Sequence, residues 1–473
     1  MQQFNMIING KPVQSKTTFG VINPATAQVF AECQNGNASD VDMAVTAAQA
    51  AFPAWSKTTA EERKTKIHAI AQALEDNMPE LMELVTKENG KPLAGLNMVG
   101  SGMEVGGSVA WTHYTAELQL PIDIVQDNDE ARVEVHRKPL GVVASITPWN
   151  WPLMIAIWHV IPAIRAGNTV IMKPSAMTPL ATIRFVELAN EILPAGVLNI
   201  VTGTSGVGSA ITNHPGINKI VFTGSTPTGK TIMKAASSNL KRLTLELGGN
   251  DAGIVLPDVV VADVAAKIFG VSFHNNGQTC ACLKRLYVHE SIYEEMCQEL
   301  AKLAKSVVVG NGLEDGVELG PVQNKEQLAV VVDLAEDAKA NGGRFLAGGN
   351  VIKGKGYFFE PTIVADLSDG SRLVDEEPFG PILPVIKYTD IDEVISRANN
   401  NECGLGGSIW SNDLPKAAKL AQRLECGTVW VNDHGALQPD APFGGVKQSG
   451  MGVEFGLYGL EEYCSLQTLK IPK

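Results

Sequence analysis

Three residues of this sequence are best placed to do covalent chemistry: a cysteine behind a glycine turn, a glutamate ending an apolar strand and an asparagine between tryptophans. The cysteine is Cys280, in Phe273-His274-Asn275-Asn276-Gly277-Gln278-Thr279-Cys280. Gly277 permits backbone conformations closed to other residues, so a tight loop there can present the next few side chains. A sulfur so held is a nucleophile where its surroundings favour the thiolate, and a buried packing residue where they do not. The glutamate is Glu246, in Leu245-Glu246-Leu247-Gly248-Gly249-Asn250. Carboxylates seldom enter apolar strands without a task, and burial raises their pKa toward that of a general base. A salt-bridged strand end is the plain alternative. The asparagine is Asn150, in Thr147-Pro148-Trp149-Asn150-Trp151-Pro152. Its amide hydrogens suit a developing oxyanion; taken alone, the segment also reads as a rigid turn rich in proline and tryptophan.

Other segments suit a phosphate-bearing ligand. Lys173, before Pro174-Ser175, is placed to reach a ribose or phosphate. In Phe222-Thr223-Gly224-Ser225-Thr226-Pro227-Thr228-Gly229, small residues let phosphate approach a helix N-terminus, and Pro227 fits its first turn. Gly203-Thr204-Ser205-Gly206-Val207-Gly208 lacks the spacing of a dinucleotide fingerprint and reads as a turn. His274 and His434 read as pocket walls or satisfied polar groups, because no His-Glu-x-x-His or similar spacing exists. Cys280-Ala281-Cys282, without a second cluster, is a poor zinc site, so no metal is expected.

Elements must bring these residues together. The first part reads as helix-rich. Ser39 is expected to cap a helix carrying Val41, Ala44, Val45, Ala48, Ala51 and Phe52 at a period near 3.6. Thr59-Ala60-Glu61-Glu62 reads as a capping box, and a third helix is expected from about Pro79 to Lys87, stopping near Gly90. From residue 141, apolar runs of buried-strand type (141–146, 169–172, 198–201, 219–222, 242–246) alternate with helix-length segments (154–166, 179–192, 205–213, 226–238). That alternation implies right-handed crossovers and a parallel, doubly wound sheet. A second alternation runs from Ala252 to Val431, through Arg285-Leu286-Tyr287-Val288 and a helical stretch from Ser291 to about Val307. Residues 131–137 alternate like an amphipathic strand.

Bulk numbers bound the rest. The 473 residues exceed the roughly 250–300 that one core serves, so two large lobes are expected. A net charge of −13, with no basic run, disfavours nucleic acid. No signal-type N-terminus and no apolar run of roughly 20 residues is present, which points to the cytoplasm and away from a membrane. Seven scattered cysteines suit reduced thiols.

Taken together, these motifs resemble the aldehyde dehydrogenase superfamily over nearly the whole chain, from Asn23-Pro24-Ala25-Thr26 to the tail, in its order and spacing. The resemblance implies an α/β fold with two doubly wound lobes and a small β oligomerisation element. The dinucleotide lobe would take residues 1–118 and 140–248, the catalytic lobe 249–444, and the oligomerisation element 119–139 and 445–473. It implies Cys280 as nucleophile, Glu246 as general base and Asn150 as oxyanion amide. It places Ile146, Trp149, Lys173, Ser175, Ala176, Gly206, Phe222, Gly224, Ser225, Glu246, Gly248, Glu377 and Phe379 at the cofactor. Lys173 would hold the adenosine ribose, Trp149 the adenine side, Ser225 the pyrophosphate, and Glu377 with Phe379 the nicotinamide ribose. Pro442-Phe443-Gly444-Gly445-Val446-Lys447-Gln448-Ser449-Gly450 matches a late loop over the substrate tunnel. One departure bears on the cofactor. Many NAD-preferring members carry glutamate where this chain has Ala176, so NAD and NADP both stay open, with prevalence in the family favouring NAD.

The resemblance also lines the tunnel with Trp151, Ile155, Trp158, His274, Thr279, Leu437 and Phe443. That lining suits an uncharged aliphatic or aromatic aldehyde. Trp158 stands where semialdehyde-acid specialists place arginine, which counts against succinate semialdehyde unless another cation, such as Arg165, reaches the pocket. A CoA-acylating dehydrogenase usually lacks the base that Glu246 supplies. A silent NAD(P)-binding relative would have lost nucleophile or base. A thiol hydrolase needs a Cys-His-Asn arrangement not visible here. The resemblance implies a homodimer or homotetramer, cytoplasmic, with a small aldehyde as partner.

Overall fold

The apolar runs that carry no alternation are the centre of an eight-stranded sheet in the computed structural model, which describes residues 2–473. In spatial order its strands are Gly450–Met451, Arg242–Glu246, Lys219–Thr223, Val142–Ile146, Thr169–Lys173, Leu198–Ile200, Met6–Ile8 and Lys11–Val13. The five from Arg242–Glu246 to Leu198–Ile200 are mutually parallel. Val142–Ile146, Thr169–Lys173 and Lys219–Thr223 are buried at every residue, since helices cover both faces. From Val142–Ile146 the chain steps outward to Thr169–Lys173 and Leu198–Ile200, then returns to build Lys219–Thr223 and Arg242–Glu246 on the other side. The order thus reverses between Val142–Ile146 and Lys219–Thr223. The carboxyl ends of these neighbours border a crevice, the usual ligand position in such sheets.

The second alternation forms a seven-stranded sheet: Arg344–Ala347, Thr362–Ala365, Ile382–Tyr388, Leu283–His289, Asp251–Val255, Gly406–Trp410 and Thr428–Val431. Only the first pair is antiparallel. Cys464–Pro472, Ala131–Pro139 and Asp123–Asp127 form a separate antiparallel sheet. It leaves Ile124, Val125, Leu466, Leu469 and Ile471 exposed. Residues 445–473 are therefore split, because Gly450–Met451 pairs with Arg242–Glu246 instead.

The helix expectations hold with one correction. The first helix, Ala38–Trp55, is capped by Asn37 rather than Ser39. Asn37 Oδ1 accepts from Ser39 N at 2.8 Å, and Asp40 Oδ2 accepts from Asn37 N at 2.8 Å. Asp40, three residues on, closes a reciprocal box with Asn37 that Ser39 cannot make. The Thr59–Glu62 box starts Ala60–Asp76, and Met78–Asn89 ends at Gly90 with φ 95°. Ser205–Asn213 begins inside the Gly203–Gly208 turn. Further helices lie outside the sequence expectation, among them Ser101–Glu117, Val261–Phe273, Lys325–Ala340, Ile391–Asn399 and Leu414–Ala421.

Helix Pro152–Arg165 positions the site. It is buried on nearly every side, between the sheet and helices Ser101–Glu117 and Ala60–Asp76. Its first amides, Leu153 N and Met154 N, donate to Glu104 Oε1 at 2.9 and 3.2 Å. Glu104 is fully buried and paired with the equally buried Lys91. An acid at this end satisfies orphan amides and complements the helix dipole.

Candidate active site

Asn150 lies 3% exposed at the switch point, just after strand Val142–Ile146. Its carbonyl accepts from Asn275 Nδ2 at 2.9 Å, Lys91 Nζ at 3.0 Å and Asn89 Nδ2 at 3.2 Å. Its side-chain Nδ2 donates to Gln278 O at 3.0 Å. That bond uses one amide hydrogen and leaves the second for a ligand. The partner loop turns through three successive left-handed residues, Asn275, Asn276 and Gly277, at φ 49°, 59° and 71°. Asparagine tolerates that region, and glycine is required at 277, where a Cβ would lie 2.3 Å from Gly380 O.

The loop ends at Cys280, which is half-buried. It lines a cleft of about 400 Å³ with Trp149, Asn150, Gly224, Ser225, Gly248, Glu377 and Phe379. Burial pushes the Cys280 thiol up to about 12; Lys284 opposes that, while Glu246, Glu377 and Asp251 reinforce it. The resting sulfur is therefore a thiol at neutral pH.

Glu246 ends its strand 3% exposed, and neither carboxylate oxygen has a partner among the described residues. Burial, and then the neighbouring Glu454 carboxylate, hold it well above the usual range. The two glycines after it allow close approach. A Cβ on Gly249 would lie 2.8 Å from Cys280 O, and one on Gly248 2.5 Å from Glu377 Oε2. The loop Pro442–Gly450 closes the other side: Leu247 N donates to Ser449 O at 2.9 Å, and a Cβ on Gly444 would lie 3.2 Å from Glu246 Oε1. Cys280 and Asn150 thus line one cleft, and Glu246 is buried directly before Leu247 and Gly248, which line it as well.

Behind Glu246 stand two residues that sequence reasoning missed. Glu454 Oε1 lies 3.1 Å from His159 Nε2, which is also 3.0 Å from Thr223 Oγ1. The available signal was a histidine and a glutamate set among apolar neighbours, a pairing that helix Pro152–Arg165 hides until it folds.

On the sheet side, Lys173 is buried and, among the described residues, its Nζ donates only to Pro174 O, at 3.1 Å. Burial pulls its pKa down to about 8, with no carboxylate to offset it. The start of helix Ser205–Asn213 faces it: a Cβ on Gly208 would lie 3.7 Å from Lys173 Cε, and one on Gly206 would meet open space. Ser175 Oγ accepts from Met177 N at 3.2 Å, and Ala176 is half-buried beside it. Ile146 and Phe222 are buried ends of adjacent strands, and the Phe222 ring underlies Gly224. Ser225 precedes helix Thr226–Ala236, whose first amides carry no side-chain cap. An unpaired buried ammonium, free helix amides and a cleft leading to Cys280 fit a dinucleotide. Trp149 meets Phe379 edge-on at 5.3 Å. It lines the same cleft as Cys280 and Asn150. It directly precedes Asn150, which ties it to the sulfur.

The seven tunnel residues also converge. Trp151 and Ile155 pack with Met154 against Trp158. Trp151 Nε1 donates to Thr279 Oγ1 at 2.9 Å, and its ring lies 6.3 Å from His274. Phe443 packs with Leu437, Trp158 and Cys280. Trp111 and Phe455 join them unforeseen, with Trp158–Phe455 ring centroids 4.7 Å apart. Burial takes His274 down to about 4, so its imidazole is neutral. Arg165 turns elsewhere, donating to Leu118 O at 2.9 Å and Ala60 O at 2.6 Å. His434 is buried between Ser408 and Asp251, at 2.9 and 3.4 Å.

Known proteins resemble this chain in sequence and fold. The aldehyde dehydrogenase family model matches residues 12–469. Phenylacetaldehyde dehydrogenase of Pseudomonas fluorescens is 41% identical over 487 residues, covering 98% of this chain and 95% of that protein. The NAD+ complex of an aldehyde dehydrogenase from Bacillus cereus superposes with TM-score 0.96 at 35% identity, covering 100% of this chain and 97% of that one. An NADP-dependent enzyme from E. coli superposes with TM-score 0.96 at 33% identity, covering 100% and 98%. With its fold and its sequence both matching over nearly the full length, the chain belongs to the aldehyde dehydrogenase family.

Proposed function

We propose that this enzyme oxidises an uncharged aromatic or aliphatic aldehyde to its carboxylic acid, with Cys280 as nucleophile, Asn150 as oxyanion amide and Glu246 as general base. The observation that carries this function is the buried Glu246, unpartnered among the described residues and close enough to Cys280 to affect its ionisation, with Cys280 lining the dinucleotide cleft beside Asn150. The sulfur adds to the aldehyde carbonyl, and its thiol proton passes to a base. The oxygen of that carbonyl takes the free Asn150 amide hydrogen and the Cys280 backbone N–H as its negative charge grows. A nicotinamide dinucleotide held by Lys173, Ser225, Glu377 and Phe379 would supply the hydride acceptor. The remaining thioester on Cys280 is hydrolysed by water that gives a proton to a Glu246 carboxylate oxygen, which releases the acid and restores the thiol. A CoA-acylating reaction needs no such base, so Glu246 favours hydrolysis.

The aromatic wall of Trp151, Trp158, Phe443 and Phe455, with Arg165 directed away, supports an uncharged substrate. A likeness to phenylacetaldehyde dehydrogenase supports an aryl one. Absorbance of the reduced nicotinamide, read over a panel of aldehydes with each cofactor, tests this. Arylacetaldehydes and medium-chain aldehydes are expected to exceed succinate semialdehyde at least tenfold in kcat/KM; the reverse order overturns the assignment.

For the cofactor, Lys173 would hold the adenosine ribose, Ser225 with its helix N-terminus the pyrophosphate, and Glu377 with Phe379 the nicotinamide ribose. Lys173→Ala is expected to raise KM for the dinucleotide about tenfold with kcat little changed, since it removes a charge-assisted hydrogen bond remote from the chemistry. Ala176 places no carboxylate against a 2′-phosphate, so both NAD and NADP are accepted, with NAD preferred. Ala176→Glu is expected to weaken NADP about tenfold relative to NAD, read as the ratio of their kcat/KM values.

Residues 1–118 and 140–248 form the dinucleotide lobe and 249–444 the catalytic lobe. The apolar face of the sheet formed by Asp123–Asp127, Ala131–Pro139 and Cys464–Pro472 supports assembly as a homodimer or homotetramer. Seven cysteines, all free, fit the reducing cytoplasm. Among the described residues no helix is long and apolar enough to cross a membrane.

A further inference from the structure

Lysine is almost never fully buried unless it is paired. Lys284, the second residue of strand Leu283–His289, has a side chain only 3% exposed. The turn closed by Cys282 N on Thr279 O, at 3.2 Å, brings the chain back on itself, so Lys284 Nζ reaches Cys280 O at 2.5 Å. The same nitrogen pairs with Glu377 Oε1 at 2.9 Å, and Glu377 is steadied by Gly249 N at 3.2 Å. The Phe379 ring centroid lies 5.8 Å from Nζ. This cation is held against the nucleophile's own peptide and against a wall of the dinucleotide cleft.

We infer that Lys284 is a positioning residue whose ammonium stabilises the Cys280 thiolate, held for that task by the Glu377 carboxylate and the Cys280 carbonyl. The inference rests on Cys280 being the nucleophile. Three carboxylates face the sulfur and disfavour its ionisation: Glu246 from the end of Arg242–Glu246, Asp251 from Asp251–Val255, and Glu377. Lys284 is the cation that opposes them. His274, from the end of helix Val261–Phe273, is neutral, and the Cys282 and Cys403 thiols are raised by burial and carry no charge at neutral pH. Burial draws Lys284 down, but Glu377 and Asp251 more than offset it, so the ammonium stays charged throughout the working range. A unit charge held on the nucleophile's own carbonyl, at an effective dielectric near 20, moves a nearby thiol by about one to two pH units. Without it, three carboxylates and a buried position would make the thiolate rarer still.

The test is the rate of Cys280 alkylation by iodoacetamide without cofactor, followed from pH 7 to 9 by mass spectrometry and by loss of dehydrogenase activity. In Lys284→Met and Lys284→Gln the log-rate profile is expected to move up the pH axis by about one to two units, a fall of roughly 10- to 100-fold at fixed pH. Lys284→Arg should return it close to the parent. Glutamine keeps an amide donor for the Cys280 carbonyl, so a shift there assigns the effect to charge rather than to the hydrogen bond. Should the methionine variant fail to fold, the glutamine variant decides alone. A profile unmoved in folded Lys284→Gln overturns the inference. If alkylated Cys280 still supports turnover, the nucleophile assignment fails; if alkylation abolishes turnover but the profile stays put, only the role of Lys284 fails.

Discussion

Replacing Cys280 by alanine is expected to abolish aldehyde oxidation, by about 10⁴-fold or more in kcat, while NAD(P)H binding stays within about threefold of the parent. The size comes from the chemistry: without the sulfur no thiohemiacetal forms, and no neighbouring group can substitute. Cys282 is two residues on, but it is fully buried and its thiol is pushed up to about 11. The cofactor contacts assigned to Lys173, Ser225 and Glu377 are untouched by the change, which separates loss of chemistry from loss of fold. Turnover is read by absorbance of the reduced nicotinamide and binding by its fluorescence. Turnover retained within tenfold of the parent refutes the nucleophile.

Glu246→Gln is expected to split the reaction. Glutamine keeps the volume of a side chain that makes no hydrogen bond among the described residues, yet it cannot take a proton. Thioester hydrolysis should slow by about 10²–10³-fold, the usual worth of a positioned base. A pre-steady-state burst of NAD(P)H near one equivalent per site should then precede a slow steady state. A normal steady-state rate contradicts the base. The pH dependence has a definite sign. Burial and Glu454 raise Glu246 well above 4.5, so the base is protonated at acid pH and the parent's hydrolysis rate climbs with pH on a limb displaced above the ordinary carboxylate range. Glu246→Gln should lack that limb. Stability has the opposite sign. The fold favours the protonated carboxyl, so its contribution is complete below the ordinary range and is lost as pH rises through the raised value. The glutamine variant should match or exceed the parent's Tm at pH 8.

Local features carry most of this into the sequence. Strands buried on both faces, such as Val142–Ile146 and Lys219–Thr223, show as unbroken apolar runs, and their alternation with helices fixes the parallel sheet and its switch point. Gly277, Gly248 and Gly249 stand where backbone must pass close to other chain, so they flag Cys280 and Glu246 from either side. Helix Ser101–Glu117 is hidden because Gly102, Gly106 and Gly107 blur its apolar period. Asn37 and Ser39 compete as caps because both residue types can cap, and only the reciprocal bond from Asp40 decides between them. Glu454, His159, Trp111, Phe455 and Lys284 act through partners that only the folded chain supplies. Glu454 and His159 lie 295 positions apart, and no local spacing records such a pair.

The buried pair of Lys91 and Glu104 reaches further than holding one helix end. Lys91 also donates to the Asn150 carbonyl and lies 3.3 Å over the Trp151 ring, so a single ammonium pins both the oxyanion residue's own peptide and the side chain next to it. The Asn150 side chain therefore has little freedom left to lose when charge develops on the carbonyl oxygen. Its dipole is electrostatically preorganised, and the reorganisation that solvent would undergo for the same anion is avoided.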